Sequence, residues 1–221
     1  MKVLLVEDDP SIREGMTELV SELAEACPVA SVGDALAHLE QEQFELVITD
    51  LRIGGDRDGG RKIVAESRAY LTPVAIISAS TEEEIRRTLR GVTPDEILMK
   101  PFQLEDLLGL TDRFLERRRE ADRQAARAAG LCSSMFEELR PGMSVASLGR
   151  SAGSEVRWVR LGPGAELDFR TDKRELWVLV EGQVQASGVH RGPGASMHIV
   201  KDNPVALVAP TGALAVSLVS A

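Results

Sequence analysis

Along the first 116 residues, short apolar runs alternate with stretches whose apolar positions recur at helical spacing. That rhythm is the βα signature of a parallel sheet covered on both faces. Lys2–Val6, Val29–Val32, Leu46–Thr49, Val74–Ile77 and Glu96–Met99 are the five strand candidates. Between the first two, Ile12, Met16, Leu19, Val20 and Leu23 mark one helical face, with Asp9 as N-cap and Pro10 at the first helical position. Thr81 and Glu84 have the spacing of a capping box and open a helix to about Arg90. Leu104, Leu107, Leu108, Thr111, Phe114 and Leu115 define a further apolar stripe. From Glu116 to Ala129 the chain ERRREADRQAARAA consists of strong helix formers with no large hydrophobe, so it predicts an exposed helical connector. A floppy charged linker is the alternative, because an exposed helix is only marginally stable without packing.

After Gly130 glycines and prolines recur every few residues and the runs become β-rich. Strands are predicted near Ser144–Leu148, Glu155–Leu161, Ala165–Phe169, Glu175–Val180, Gln183–Ala186, Ala195–Val200, Val205–Val208 and Ala213–Val219. Short strands at close spacing indicate a sandwich or small barrel. The predicted organisation is therefore residues 1–116, a connector over 117–133, and a β-rich region over 134–221.

The length of 221 residues fits two compact units, and 43% hydrophobic with 28% charged residues excludes a largely disordered or fibrous chain. The net charge of −9 is uneven. Residues 1–120 hold 25 acids and 15 bases, a balance of −10; the remaining 101 residues hold 10 and 11, a balance of +1. Neither part has the basic face that phosphate-backbone binding needs, and no recognition-helix periodicity survives in the second, so no nucleic acid partner is expected. Cys27 and Cys132 stand far apart and read as reduced thiols, no apolar run reaches the ~20 residues of a membrane helix, and the N-terminus turns acidic after MKVLLV. A cytoplasmic protein without membrane association is the expectation.

In an open parallel sheet, chemistry collects beyond the carboxyl ends of the strands. Here strand one runs into Glu7, Asp8 and Asp9, strand three into Asp50, strand four into Ser78 and strand five into Lys100. Clustered carboxylates repel unless a cation sits among them, and oxygen-only ligands favour Mg²⁺. The strand ends thus read as a hard-cation site. Asp9 has two readings, helix cap or metal contact, of which the cap is preferred. Ser78 has two as well, since a strand-end serine often bonds its own backbone.

Four segments, VEDDP, TDLRIGGDRDGG around Asp50, Ser78-Ala79 and Lys100-Pro101-Phe102, occur in an order and spacing that resembles the receiver domain of two-component response regulators. The resemblance implies a five-stranded doubly wound, flavodoxin-like α/β fold in which Asp50 accepts a phosphoryl group from a sensor histidine kinase. It further implies that Asp8 binds Mg²⁺ directly, Glu7 supports it, the backbone carbonyl of Arg52 completes the protein ligands, Ser78 bonds a phosphoryl oxygen and Lys100 pairs with the acylphosphate. The chemistry needs those residue types: phosphoryl transfer to a carboxylate rests on in-line positioning and charge neutralisation, and a carboxylate near pH 7 needs no base. Ile97 departs from the pattern, standing where the family usually has Tyr or Phe, and Gly54-Gly55 replaces a Pro-containing turn.

From about Arg140 the blocks RLGPGAELDFRTDKRELWVLVEGQV and RGPGASMHIVKDNPVALVAP resemble a cupin-like double-stranded β-helix. A metal-binding cupin carries a His-x-His pair shortly before Glu175; this chain has Phe169, Arg170, Thr171 and Asp172 there. His190 and His198 remain as possible ligands beside Glu175, against the plainer reading of ordinary polar residues. Trp158 and Trp177 are expected in the core, although an aromatic at a β-barrel mouth can hold a small ligand. The expected function is a phosphorylation-dependent response regulator, not an enzyme, with a cupin-like output that does not bind DNA; both domain types imply a homodimer. The alternative is a cupin-type enzyme, metal-dependent or binding a small ligand, under receiver control.

Overall fold

In a computed structural model of the chain, residues 1–127, 135–151 and 153–220 are described. The chain divides into two compact units, Met1–Leu115 and Glu116–Ala221. Cys132 and the final residues of the expected connector lie outside the described residues.

The first unit runs β1 (Lys2–Val6), α1 (Pro10–Ser21), β2 (Glu25–Val29), α2 (Val32–Gln41), β3 (Leu46–Asp50), α3 (Gly59–Ala69), β4 (Val74–Ser78), α4 (Glu82–Thr88), β5 (Glu96–Met99) and the start of α5 (Leu104–Ala125). Its five strands pair in parallel in the order β2-β1-β3-β4-β5, the doubly wound arrangement expected from the sequence. Alternation along the strands makes two cores. Leu4, Val6, Val47, Val74 and Ile76 pack on one face with Ala35, Leu39, Ile63 and Ile85 from α2, α3 and α4. Val3, Leu5, Leu46, Ile48, Ala75 and Ile77 pack on the other with Met16, Val20, Leu107, Leu110 and Phe114 from α1 and α5.

Local chemistry sets the boundaries. Asp9 caps α1, accepting from the backbone N–H groups of Ser11 (2.8 Å) and Ile12 (3.0 Å), with Pro10 in the first turn. Thr81 and Glu84 form the expected reciprocal capping box of α4. The second strand differs from its expected position: it spans Glu25–Val29 instead of Val29–Val32. Ser31 accepts from Asp34 N–H and caps α2, so residues 29–32 straddle a strand end and a helix start. Pro28 is tolerated because β2 is the sheet edge. The sequence pattern also left α2 and α3 unassigned.

The second unit contains β6 (Glu137–Arg140), β7 (Met143–Ser151), β8 (Ser154–Leu161), β9 (Ala165–Phe169), β10 (Arg174–Gly182), β11 (Val184–Ala186), β12 (Val189–Arg191), β13 (Ser196–Ile199), β14 (Val205–Ala209) and β15 (Ala213–Ser220). A six-stranded sheet, β13-β10-β15-β8-β7-β6, faces a four-stranded sheet, β12-β11-β14-β9. From β8 onward the chain passes repeatedly between the two sheets, as a double-stranded β-helix requires. All pairings are antiparallel. β6 and β12 were not anticipated from the sequence.

The charged segment after Leu115 is helical to Ala125, but it is not exposed all round. Ala121 is fully buried and packs with Val156, Leu176, Val178, Val216 and Leu218 of the six-stranded sheet. Alanine lets a helix approach a sheet closely, which is why no large hydrophobe marks this face. The buried Glu120 carboxylate beside it is held down to a pKa of about 2, first by the hydroxyl of Ser151, then by the amide of Gln124 and by Arg123.

Gly60, at the start of α3, lies against the strand that ends in Asp50. A Cβ there would stand 2.6 Å from the Asp50 carbonyl oxygen and 2.7 Å from Leu51 Cα, backbone atoms that cannot retreat without moving β3. Gly60→Ala is expected to lower the unfolding free energy by about 1–3 kcal/mol, read from the urea midpoint. An unchanged midpoint would contradict the close approach.

Candidate functional site

Strand order decides what meets at the carboxyl edge. β1 and β3 are neighbours, so Glu7, Asp8 and Asp50 emerge side by side, and Lys100 follows β5 two strands away from β3. The Lys100 ammonium donates to Asp50 Oδ2 at 2.6 Å and to Glu7 Oε2 at 2.9 Å, bridging two acids 43 residues apart in sequence. The three side chains are at most 18% exposed. Burial alone would lower the lysine pKa, but its hydrogen bonds to Asp50 and Glu7 outweigh it and hold the group above its ordinary value.

The remaining oxygens are arranged by backbone donors. Asp50 Oδ1 accepts from Arg52 N–H at 3.1 Å, Glu7 Oε1 from Asp9 N–H at 3.3 Å and Asp8 Oδ2 from Gly54 N–H at 3.0 Å. The side chain of Asp9 is spent on α1, which resolves its two readings in favour of the cap. Ser78 is buried at the end of β4, and its Oγ accepts from Ser80 N–H at 3.0 Å, so the local bond anticipated for a strand-end serine is made. The hydroxyl proton is still available to another acceptor. Lys100 N–H donates to the Ser78 carbonyl at 2.7 Å, fixing the start of the loop that presents the lysine.

Among the described residues no three His, Cys, Asp or Glu side chains converge into a cation cage. The donor set at this edge nevertheless fits Mg²⁺, which takes one or two carboxylates and keeps several waters. Asp8 and Asp50 offer carboxylate oxygens, and all nearby donors are oxygen. Glu7 is already engaged with Lys100 and Asp9 N–H, which leaves it in a supporting position.

Two contributors were not singled out in the sequence. Arg13 Nη1 donates to the carbonyls of Glu7 (2.7 Å) and Asp8 (3.1 Å), clamping the acidic turn from the first helix. Gly54 supplies the N–H that orients Asp8. A base at the end of the first turn of the helix after an acidic turn is the signal for the first; the second is a backbone contact with no side-chain signature. Arg52, expected to matter through its carbonyl, also sends its guanidinium to within 3.6 Å of Glu84. Ile97 is 44% exposed on β5 and lines, with Ile85, Leu89 and Met99, an apolar cleft of about 630 Å³ beside α4.

In the second unit the three possible metal ligands do not come together. Leu176 stands opposite His198 on β10 and β13, so Glu175 and His198 project from opposite faces of the sheet. His190 is exposed on the other sheet. Glu175 is instead buried in hydrogen bonds from Trp177 Nε1 (2.7 Å) and Ser217 Oγ (3.1 Å).

Comparison with known proteins agrees with the geometry of the first unit. Residues 3–112 match the response regulator receiver domain family. The transcriptional activator protein PfeR of Pseudomonas aeruginosa is 36% identical over 121 residues, covering 52% of this chain and 38% of that protein. The chain spans less than half the length of the first curated relatives it matches. Among solved structures, the receiver domain of sensor histidine kinase PA1611 from P. aeruginosa, with a magnesium ion coordinated in its active site cleft, is 21% identical. That match covers 52% of this chain and 97% of that one, with a TM-score of 0.45. An RmlC-like cupin from Shewanella frigidimarina is 20% identical, covering 39% of this chain and 83% of that one, with a TM-score of 0.34.

Removing the bridging cation should leave two buried acids facing each other. Breaking a buried pair by removing one partner costs up to about 3–5 kcal/mol, and somewhat less at a partly exposed site such as this. A lysine whose pKa is raised on folding contributes its stability fully below the unfolded value of 10.5 and loses it only as pH climbs through the folded value. Lys100→Met should therefore unfold more readily than wild type at pH 8. The deficit should shrink as pH rises above 10.5, where the wild type loses the contribution of the charged lysine. Thermal melts from pH 8 upward test this, and a deficit that stays constant above pH 10.5 would contradict it.

Proposed function

From the premise that residues 3–112 are a response regulator receiver domain, we propose that Asp50 accepts a phosphoryl group from a sensor histidine kinase and that the second unit is the output of the switch. The observation that carries this reading is the Lys100 ammonium held against Asp50 and Glu7. Phosphoryl transfer asks the protein for positioning and charge neutralisation and little else. Asp50 is the nucleophile: one carboxylate oxygen attacks phosphorus, the bond to the donor's leaving nitrogen breaks, and the product is an acylphosphate. In this reading Lys100 neutralises charge on the transferred group, and the Ser78 hydroxyl donates to one of its oxygens.

Mg²⁺ would be held by Asp8, Asp50 and the backbone carbonyl of Arg52, with Glu7 in support. It supplies charge neutralisation on the phosphoryl oxygens when bound. Gly54 N–H and the Arg13 clamp keep Asp8 facing the loop after β3. An acylphosphate brings new charge and acceptor oxygens to the β3 end, and a local change of that kind biases a two-state element.

The output is read as one that does not bind DNA. Residues 121–221 carry a balance of only +1, and the helical part of the second unit, the end of α5, is packed on a sheet through Ala121. The transcriptional roles in the names of the curated relatives belong to proteins that match about half of this chain. Self-association into a homodimer and a location in the cytoplasm belong to the same reading. Among the described residues no helix is long and apolar enough to cross a membrane.

Incubation of the full chain with a small phosphodonor and Mg²⁺ should add one phosphoryl group by intact-mass measurement, and none to Asp50→Asn. Equal labelling of both would refute the assignment. Asp8→Ala should weaken Mg²⁺ binding by about tenfold or more, as loss of a charged ligand implies; an unchanged affinity would remove Asp8 from the metal.

A further inference from the structure

The second unit contains a cavity of about 200 Å³ that phosphoryl transfer does not use. Val159 and Glu175 on its wall lie on the face of the six-stranded sheet opposite the one that Ala121 packs against. Register shows this: Glu175 and Glu155 both oppose Val219, and Val159 opposes Ala215, whereas Val156 and Leu176 both oppose Leu218 in the cluster around Ala121. Val145, directly opposite Val159, and Phe169 at the end of β9 add apolar wall.

The charges lining the cavity are not equivalent. Arg157 is held bidentately by Glu155, at 2.7 and 2.8 Å. Arg170 is forked onto Asp168, and Glu175 is occupied by Trp177 and Ser217. Arg140 differs. It is half-buried, its guanidinium carbon lies 5.4 Å from the Phe169 ring centroid, and among the described residues no carboxylate or carbonyl accepts its protons. A guanidinium over a ring keeps its N–H edge free, and that edge matches a carboxylate bidentately. The side chain is also well placed by its backbone. It ends β6 at a Pro141-Gly142 turn in which Gly142 has φ 78°, a conformation that favours glycine, and a Cβ there would lie 3.0 Å from Ala165 Cβ.

We infer that this cavity binds a small organic monocarboxylate, its carboxylate paired with Arg140 and its apolar body against Val145, Val159 and Phe169. The volume is below the roughly 300–1,000 Å³ of sites for drug-sized ligands, which restricts the ligand to a few carbons or one ring. A monoanion fits better than phosphate because the buried Glu175 also lines the cavity, while the exposed Asp172 and Lys173 offset each other. The site requires no metal, and it does not depend on the reading of Asp50.

The test is calorimetric titration of the full chain with acetate, isovalerate and benzoate, each beside its neutral amide, and with inorganic phosphate. At least one carboxylate should bind one to one, and bind more tightly than both its amide and phosphate. Arg140→Gln should weaken that binding by about tenfold or more, the usual consequence of deleting one partner of a buried charge pair. Arg140→Lys, which keeps the charge but loses the planar fork, should fall between. Arg160, whose guanidinium carbon lies 3.8 Å from the Phe136 ring centroid and which does not line the cavity, is the control: Arg160→Gln should leave binding unchanged. Unfolding midpoints of the variants establish that each is folded. The inference is overturned if no carboxylate binds better than its amide, if phosphate binds best, or if folded Arg140→Gln binds as wild type does.

Discussion

A carboxylate set among other carboxylates is an electrostatic problem before it is a chemical one. Asp50 stands near Glu7 because β1 and β3 are neighbours, and two such charges at a site shielded from water repel unless a cation separates them. The cation comes from the far side. β5 is two strands from β3, roughly 10 Å at the usual strand spacing, and only a long side chain starting just past a strand end can return that distance. Lys100 does so, and its backbone N–H is tied to Ser78 on the intervening strand. The order β2-β1-β3-β4-β5 is thus a condition for the site as well as a way of covering a sheet with helices.

The first unit was legible because its two signals are local. Apolar runs of three or four residues mark the inner strands β1, β3 and β4, and the polar residues that follow them mark the carboxyl edge. Asp9-Pro10 and Thr81…Glu84 mark helix starts by side chains that satisfy nearby backbone donors. What failed was also local. Val29–Val32 is apolar but for Ser31, and Ser31 turns its second half into a helix start. At the site, the sequence favoured the cap for Asp9 and left a metal contact open beside it. The division follows from the loop after β3, where Gly54 N–H captures Asp8 while Asp9 is consumed by α1.

The β-rich unit was less legible because its decisive relations are long-range. Alternation along one strand is visible in a sequence, but which residue of the neighbouring strand it meets is not. A register that placed His198 opposite Glu175 would have put both on one face; the observed register places it opposite Leu176. Arg140 and Phe169 are 29 residues apart on strands of different sheets, so their contact left no motif. The same holds for the Ala121 face, whose partners come from β8, β10 and β15.

Composition misled most where a helix lacked large hydrophobes. The segment after Glu116 has the make-up of a solvated helix, and a short solvated helix is marginal in water. Its stability instead comes from residues that look polar or small. Ala121 removes bulk so that the helix can lie on the sheet, and Glu120 and Gln124, one turn apart, bond each other while buried. A carboxylate in that position is retained as an anion only because its acceptors are all taken, by Ser151, Gln124 and Arg123. The helix is therefore specified by a satisfied polar network as much as by apolar burial. Such a network tolerates substitution less than a surface of interchangeable charges does, because removing one member leaves its partners buried and unpaired.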